Sequence, residues 1–202
     1  MDKIFPYNIY KFKVSNYKKL NKKLVSEIYK LKDNDINGIE RSNRSGWHSE
    51  TLEPKFKELS EIISNFFSKE ILKVDKNLKI TTIWASINSK NCFNEEHDHH
   101  GAYYSGVYYV KVPKNSGNLY FINPYYWNTK PIRKYPNICR YENENKEIEY
   151  KSKEGDLYFF VGEMPHKVGK NLSNDDRISI SFNFNFYHLR EQFEERKIKW
   201  IS

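Results

Sequence analysis

The stretch Arg177-Ile178-Ser179-Ile180-Ser181-Phe182-Asn183-Phe184-Asn185-Phe186-Tyr187 alternates polar and apolar residues without a break. A β-strand sends successive side chains to opposite faces, so Ile178, Ile180, Phe182, Phe184 and Phe186 share one face while Arg177, Ser179, Ser181, Asn183 and Asn185 share the other. In a surface sheet the polar face simply meets water. In a barrel backed by helices the oily face turns to the helices and the polar face into a ligand-holding mouth. The second arrangement predicts a site lined by Arg177 and Ser179, with Asn183 on the same face as a candidate for the substrate pocket.

Upstream, further strand-like runs cover Lys79 to Asn88, Ser105 to Val112, Asn118 to Ile122, Glu147 to Lys151 and Asp156 to Val161. Short strands separated by turn signals point to a barrel or sandwich. Before them, Leu20, Leu24, Ile28 and Leu31 recur at helical spacing opposite a lysine-rich face. A second helix follows Pro54, its buried stripe made by Phe56, Leu59, Ile62, Ile63 and Phe66, and should pack on a sheet. His188 to Lys199 reads as a short charged helix anchored by Leu189 and Phe193. The class is α+β, a single domain over 1–202 with helical support in 1–75, a β core in 76–187 and a C-terminal helix in 188–202.

Aromatic residues at 16% exclude a disordered chain, since such side chains bury large areas and drive collapse. No run of 18 apolar residues exists, and the stretch from Met1 to Tyr7 carries no targeting pattern, so no membrane partner is expected and the cytoplasm is the expected compartment. Cys92 and Cys139 are too few and too far apart for a disulfide framework or a four-cysteine zinc site. The formal charge of +8 is mostly lysine in a chain rich in Asn, Ile, Tyr and Phe with only two alanines, a set that A/T-rich codons encode. Compositional drift is therefore preferred to a nucleic-acid partner. The oligomeric state is left open.

Chemistry is concentrated in Asn94-Glu95-Glu96-His97-Asp98-His99-His100. Extended backbone puts His97 and His99 on one side, able to converge on one ion, and Asp98 and His100 on the other. A third ligand must come from a distant strand, and His166, just after the run Asp156 to Val161, is placed for it. Two close ligands and one remote ligand leave half an octahedron open, as in mononuclear iron enzymes that admit a cosubstrate and dioxygen. Eleven residues after His166, Arg177 and Ser179 offer a guanidinium fork and a hydroxyl suited to a carboxylate.

In this skeleton of paired ligands, a long gap, a distal His and then Arg-x-Ser, the chain resembles the iron(II)/2-oxoglutarate-dependent dioxygenases. It is more narrowly similar to the small 2OG-Fe(II) oxygenases of bacteria and their phages. The blocks that carry the likeness are Ser45 to Ser49, Trp84 to Asn88, Asn94-x-x-His97-x-His99, Ser105 to Tyr109, Gly117 to Phe121, Gly155 to Leu157, His166-x-Val168 and Arg177 to Asn183, in order over nearly the whole chain. The resemblance implies a double-stranded β-helix, the jelly roll of cupin-like proteins, backed by N-terminal helices. It implies Fe(II) held by His97, His99 and His166, with 2-oxoglutarate bound by Arg177, Ser179 and Asn94 and no catalytic residue beyond the ligands. The activity implied is a hydroxylase of unknown substrate that couples decarboxylation of 2-oxoglutarate to succinate with substrate oxidation.

The close pair departs from the wider superfamily in being His-x-His without a carboxylate, and Asp98 could serve as ligand in place of His99 if a bulge shifts the register. Two alternatives stand beside this reading. One is a three-His cupin-type dioxygenase without 2-oxoglutarate, in which Arg177-x-Ser179 has no purpose; the other is a non-catalytic basic barrel that binds nucleic acid. Trp47 and His48 read as packing or capping residues before the second helix. Tyr108 and Tyr109 straddle two faces, one for the core and one for the ligand, and Tyr108 joins Asn183 and Trp127 as a substrate-pocket candidate. The aromatic, proline-punctuated stretch from Asn123 to Arg140 is a candidate lid.

Overall fold

The protein is described by a computed structural model, covering residues 7–51, 56–124 and 146–196. Trp127 and most of the candidate lid lie outside the described residues, as do Cys139 and the end of the chain. Eleven strands and three α-helices follow in chain order among the described residues: β1 (Tyr10–Lys13), α1 (Tyr17–Asn34), β2 (Asn43–Arg44), β3 (Trp47–His48), α2 (Lys57–Asn65), β4 (Thr82–Asn88), β5 (Phe93–His97), β6 (Ala102–Lys111), β7 (Leu119–Ile122), β8 (Glu147–Tyr150), β9 (Asp156–Val161), β10 (His166–Val168), β11 (Arg177–Asn185) and α3 (Phe186–Arg196). A π-helical turn, Phe66–Ile71, prolongs α2.

The strands form two antiparallel sheets, ordered β1-β9-β6-β11-β4-β3 and β2-β5-β10-β7-β8. Their face-to-face arrangement is the jelly roll expected of the sequence. The alternation in β11 works as anticipated up to Asn185: Ile178, Ile180, Phe182 and Phe184 are fully enclosed in a core shared with Leu20, Leu24 and Ile28 of α1 and Leu59 and Ile63 of α2, whereas Phe186, expected on the same oily face, instead begins α3 and is exposed. Each such side chain contributes roughly 1.5–3 kcal/mol by leaving water. A smaller core of Val107, Tyr109, Leu119, Phe121, Tyr158, Phe160 and Met164 fills the space between the sheets.

β1, β2, β3, β5 and β10 were not anticipated as strands. They have two to five residues each, too few to display a period, and are defined by pairing: β1 lies along β9, and β10 sits between β5 and β7. The expectation for Tyr108 is corrected. Its hydroxyl donates to Asn21 Oδ1 of α1 at 2.5 Å, and Asn21 Nδ2 in turn donates to the Val110 carbonyl at 2.7 Å. Tyr108 thus fastens helix to sheet from within the core, because the even-numbered residues of β6 face α1. Its neighbour Tyr109 takes the opposite face and reaches the ligand side.

Candidate metal centre

Pairing of β10 with β5 sets His166 opposite His97, which brings the remote histidine to the close pair. One ligand atom from each of His97, His99 and His166 lies within 4.8 Å of the others, a grouping that can hold a metal ion. His97 is the last residue of β5 and His99 follows one residue beyond, its N–H donating to the Gly162 carbonyl at 2.8 Å. Asp98 stands outside this group, its carboxylate 3.4 Å from the exposed His100 ring on the cavity wall. The register is therefore the one in which odd-numbered residues face inward.

Two of the three rings have their tautomer set by the backbone. Nδ1 of His97 donates to the Glu95 carbonyl at 2.7 Å and Nδ1 of His166 to the Met164 carbonyl at 2.8 Å, so Nε2 carries the lone pair in each, that of His97 lying 3.4 Å from the Ser42 hydroxyl. His99 is held by ring packing instead, with Trp84 at 5.6 Å between centroids. Burial keeps all three neutral, the form that ligates: the pKa of His97 is lowered, that of His99 is pushed down to about 3 with help from His97 and His48, and that of His166 falls well below the ordinary value. Three neutral imidazoles with converging lone pairs suit a divalent ion such as iron(II).

These shifts give a pH dependence whose sign follows from proton counting. In the unfolded chain the rings titrate near 6.5, whereas folding lowers all three, His99 and His166 well below that value. Between those values the unfolded state binds more protons, so stability rises with pH. The metal-free protein is expected to lose stability as pH falls below about 6.5, by up to about 1.4 kcal/mol per pH unit for each ring kept neutral. Urea midpoints at several pH values check this, and a midpoint unchanged across the acid range would show that the rings protonate freely in the fold.

The same cavity, about 600 Å³ in volume, contains the polar face of β11: Arg177, Ser179, Ser181, Asn183 and Asn185 all line it. Arg177 is only 3% exposed. Its Nη1 donates to the carbonyls of Ser116 at 3.0 Å, Gly169 at 3.3 Å and Gly117 at 3.5 Å, and no carboxylate pairs with it among the described residues. Burial lowers its pKa, opposed by Tyr109 and Cys92. A buried cation whose only partners are neutral carbonyls is expensive unless an anion completes it. With Nη1 engaged, Nε and Nη2 keep donor capacity for that anion. Gly117 makes the cradle feasible: at φ +87° it takes a conformation glycine favours, and a Cβ there would stand 2.1 Å from the Gly169 carbonyl oxygen.

Asn94 also lines the cavity, but its carboxamide is already engaged, accepting from Asn88 Nδ2 at 3.0 Å and donating to Ser42 Oγ at 3.2 Å. His48 is corrected from packing residue to cavity wall. Nothing in a two-residue strand signals this; it follows from β3 pairing with β4, which sets His48 beside Ser86. Trp47 packs as expected, donating from Nε1 to the Asp35 carbonyl at 2.7 Å. Tyr109 and Trp84 also line the cavity: Tyr109 is the member of the tyrosine pair that takes the ligand face, a choice alternation alone does not make, and nothing in the sequence assigns Trp84 to the site.

The family model described as "Putative 2OG-Fe(II) oxygenase" matches residues 82–183, half of the 202-residue chain. No curated protein matches the sequence. Among solved structures, a Pseudomonas putida prolyl-4-hydroxylase is similar at 14% identity and a TM-score of 0.61, covering 89% of this chain and 92% of that one. HygX of Streptomyces hygroscopicus, solved with nickel and 2-oxoglutarate bound, is similar at 11% identity, TM-score 0.62, over 89% and 83%. A Trichoplax adhaerens prolyl hydroxylase, in complex with a hypoxia inducible factor peptide fragment, is similar at 13% identity, TM-score 0.62, over 91% and 86%. Fold and site define an iron- and 2-oxoglutarate-dependent enzyme class. The chain belongs to the 2OG-Fe(II) oxygenase family and is an oxygenase that uses Fe(II) and 2-oxoglutarate.

Proposed function

We propose that the protein is a hydroxylase in which His97, His99 and His166 hold iron(II) while Arg177 and Ser179 hold the distal carboxylate of 2-oxoglutarate. The observation that carries this is the buried Arg177, without an acidic partner among the described residues, in the cavity that the three imidazoles also line. Bound iron and 2-oxoglutarate would supply the chemistry with dioxygen as the oxidant, one oxygen atom entering succinate as CO₂ is lost and the other entering the substrate. The chain's own share is positional. Glu95 and Met164 carbonyls orient two imidazoles, the carbonyls of Ser116, Gly117 and Gly169 fix the guanidinium, and Tyr109 and Phe160 wall the cavity between sheet and metal.

Three neutral ligands leave the full +2 charge of ferrous iron on the site and Arg177 adds one more, while the 2-oxoglutarate dianion brings one carboxylate to each. Cosubstrate binding should be favoured by that excess of positive charge. The compartment we propose is the cytoplasm, since ferrous iron and the free, buried thiol of Cys92 both suit a reducing milieu.

The test is succinate release by the protein supplied with ferrous iron, 2-oxoglutarate and ascorbate. Turnover uncoupled from any substrate is expected at a slow but measurable rate, dependent on all three additions. Full loading with iron and cosubstrate but no succinate, across broad substrate mixtures, would overturn the reading. Products heavier by one oxygen atom would separate hydroxylation from other oxidations.

A further inference from the structure

The floor of the cavity is a ladder whose rows are set by strand register. Ser179 pairs with Ser86 and Tyr109, Ser181 with Trp84 and Val107, and Asn183 with Thr82 and Ser105. Asn183 lies six residues along β11 from Arg177, a distance of ~20 Å at ~3.3 Å per residue. A five-carbon dicarboxylate anchored at Arg177 spans well under half of that. The row at Asn183 is thus left to another molecule.

That row is uncharged and incompletely hydrogen-bonded. The buried Ser105 hydroxyl, on the same face of the sheet, donates to Asn183 Oδ1 at 2.8 Å, which leaves the Nδ2 donors for the cavity that Asn183 lines. Beside it the Thr82 hydroxyl is enclosed and has no partner among the described residues; Ser60 and Ser116 share that state, but of the three only Thr82 lines the cavity. One row nearer to Arg177, His48 stacks on Trp84 with centroids 5.7 Å apart at 14°. Its Nδ1–H donates to the Ser49 carbonyl at 2.6 Å, so Nε2 is the ring's remaining polar atom and an acceptor. The charged residues of the wall other than Arg177, namely Arg41, Arg44, Glu95, Glu96 and Asp98, come from the segments around β2 and β5. None stands on the floor strands β4, β6 and β11 beyond Arg177.

We infer that Thr82, Asn183 and His48 form the substrate seat and that it takes an uncharged carboxamide, whose carbonyl accepts from Asn183 Nδ2 and Thr82 Oγ1 and whose N–H donates to His48 Nε2. A carboxylate would face the His48 lone pair with the floor's one cation, Arg177, six residues away along β11, and an ammonium group would find no anion on the floor. A carboxamide offers an acceptor and a donor on adjacent atoms and carries no charge to desolvate. This inference rests on the oxygenase reading of the imidazoles and Arg177.

The test uses the whole protein loaded with nickel(II) and 2-oxoglutarate, titrated calorimetrically with N-acetylasparagine amide, N-acetylaspartate, lysine and glucose. The amide is expected to bind at least tenfold more tightly than the three others. Thr82→Val and Asn183→Leu should each weaken it at least fivefold while 2-oxoglutarate affinity stays within twofold. Thr82→Val is nearly isosteric and keeps the test decisive should Asn183→Leu fold poorly. Equal or tighter binding of aspartate, lysine or glucose, absence of amide binding, or full amide affinity in the variants would overturn the inference while leaving the cosubstrate reading intact. Failure of 2-oxoglutarate to bind the wild-type protein would instead overturn the Arg177 reading, and this inference with it.

Discussion

Replacing Arg177 with leucine is expected to lower the affinity for 2-oxoglutarate by at least some thirty-fold, about 2 kcal/mol, the scale of a charge-assisted hydrogen-bond pair removed from a buried site. Metal binding should persist, because the imidazoles belong to β5, the turn after it and β10, whereas Arg177 opens β11. The variant should also be less stable, since the carbonyls of Ser116, Gly117 and Gly169 lose the donor they share. Arg177→Lys should fail nearly as badly: a point charge on a flexible stem cannot hold those carbonyls and present two further donors at once. Calorimetric titration of nickel-loaded protein reads the affinity directly. An unchanged dissociation constant in Arg177→Leu would sink the assignment of that residue to the cosubstrate.

The second large effect is on the metal. Removing an outer partner of a ligand commonly costs ten- to a hundredfold in affinity, so losing a ligand should cost at least about a hundredfold. His97→Ala and His166→Ala are expected to fall in that range, because each ring is pre-oriented by a backbone carbonyl. His99→Ala should fall there too, while Asp98→Ala and His100→Ala should retain the metal, as neither side chain belongs to the group of converging ligand atoms. His99→Asp is the more discriminating variant. It puts a carboxylate where the wider superfamily carries one, lowers the charge of the site by one and should preserve iron binding. Equilibrium binding of iron(II) under anaerobic conditions decides the matter. Loss of metal in Asp98→Ala with retention in His99→Ala would show that the ligating face has been misassigned.

Much of this site was legible because its chemistry is written in periodicity. The nine-residue alternation of β11 declares which side chains share a face, and five of them do line the cavity. The spacing of His97 and His99 likewise declares a common side. The tyrosine pair did not yield in this way. Alternation requires Tyr108 and Tyr109 to part, yet which of them meets helix α1 depends on how β6 is packed, and the choice fell to Asn21, which offers Tyr108 a buried acceptor.

The sequence by itself determined the alternating strand, the amphipathic helices that cover it, the histidine cluster and the remote histidine with its arginine, since each is a local pattern of polarity or residue type. Tertiary structure decided the rest. Strands as short as β2, β3 and β10 have too few residues to carry a period, so they exist only through their pairings, and those pairings set His166 opposite His97 and His48 beside the cavity. The cradle of Arg177 is likewise built from the carbonyls of Ser116, Gly117 and Gly169, backbone atoms that every residue possesses, and no residue type marks them in advance. Hydrogen bonds between distant backbone atoms depend on where strands lie in space, and that is settled only when the two sheets close on each other.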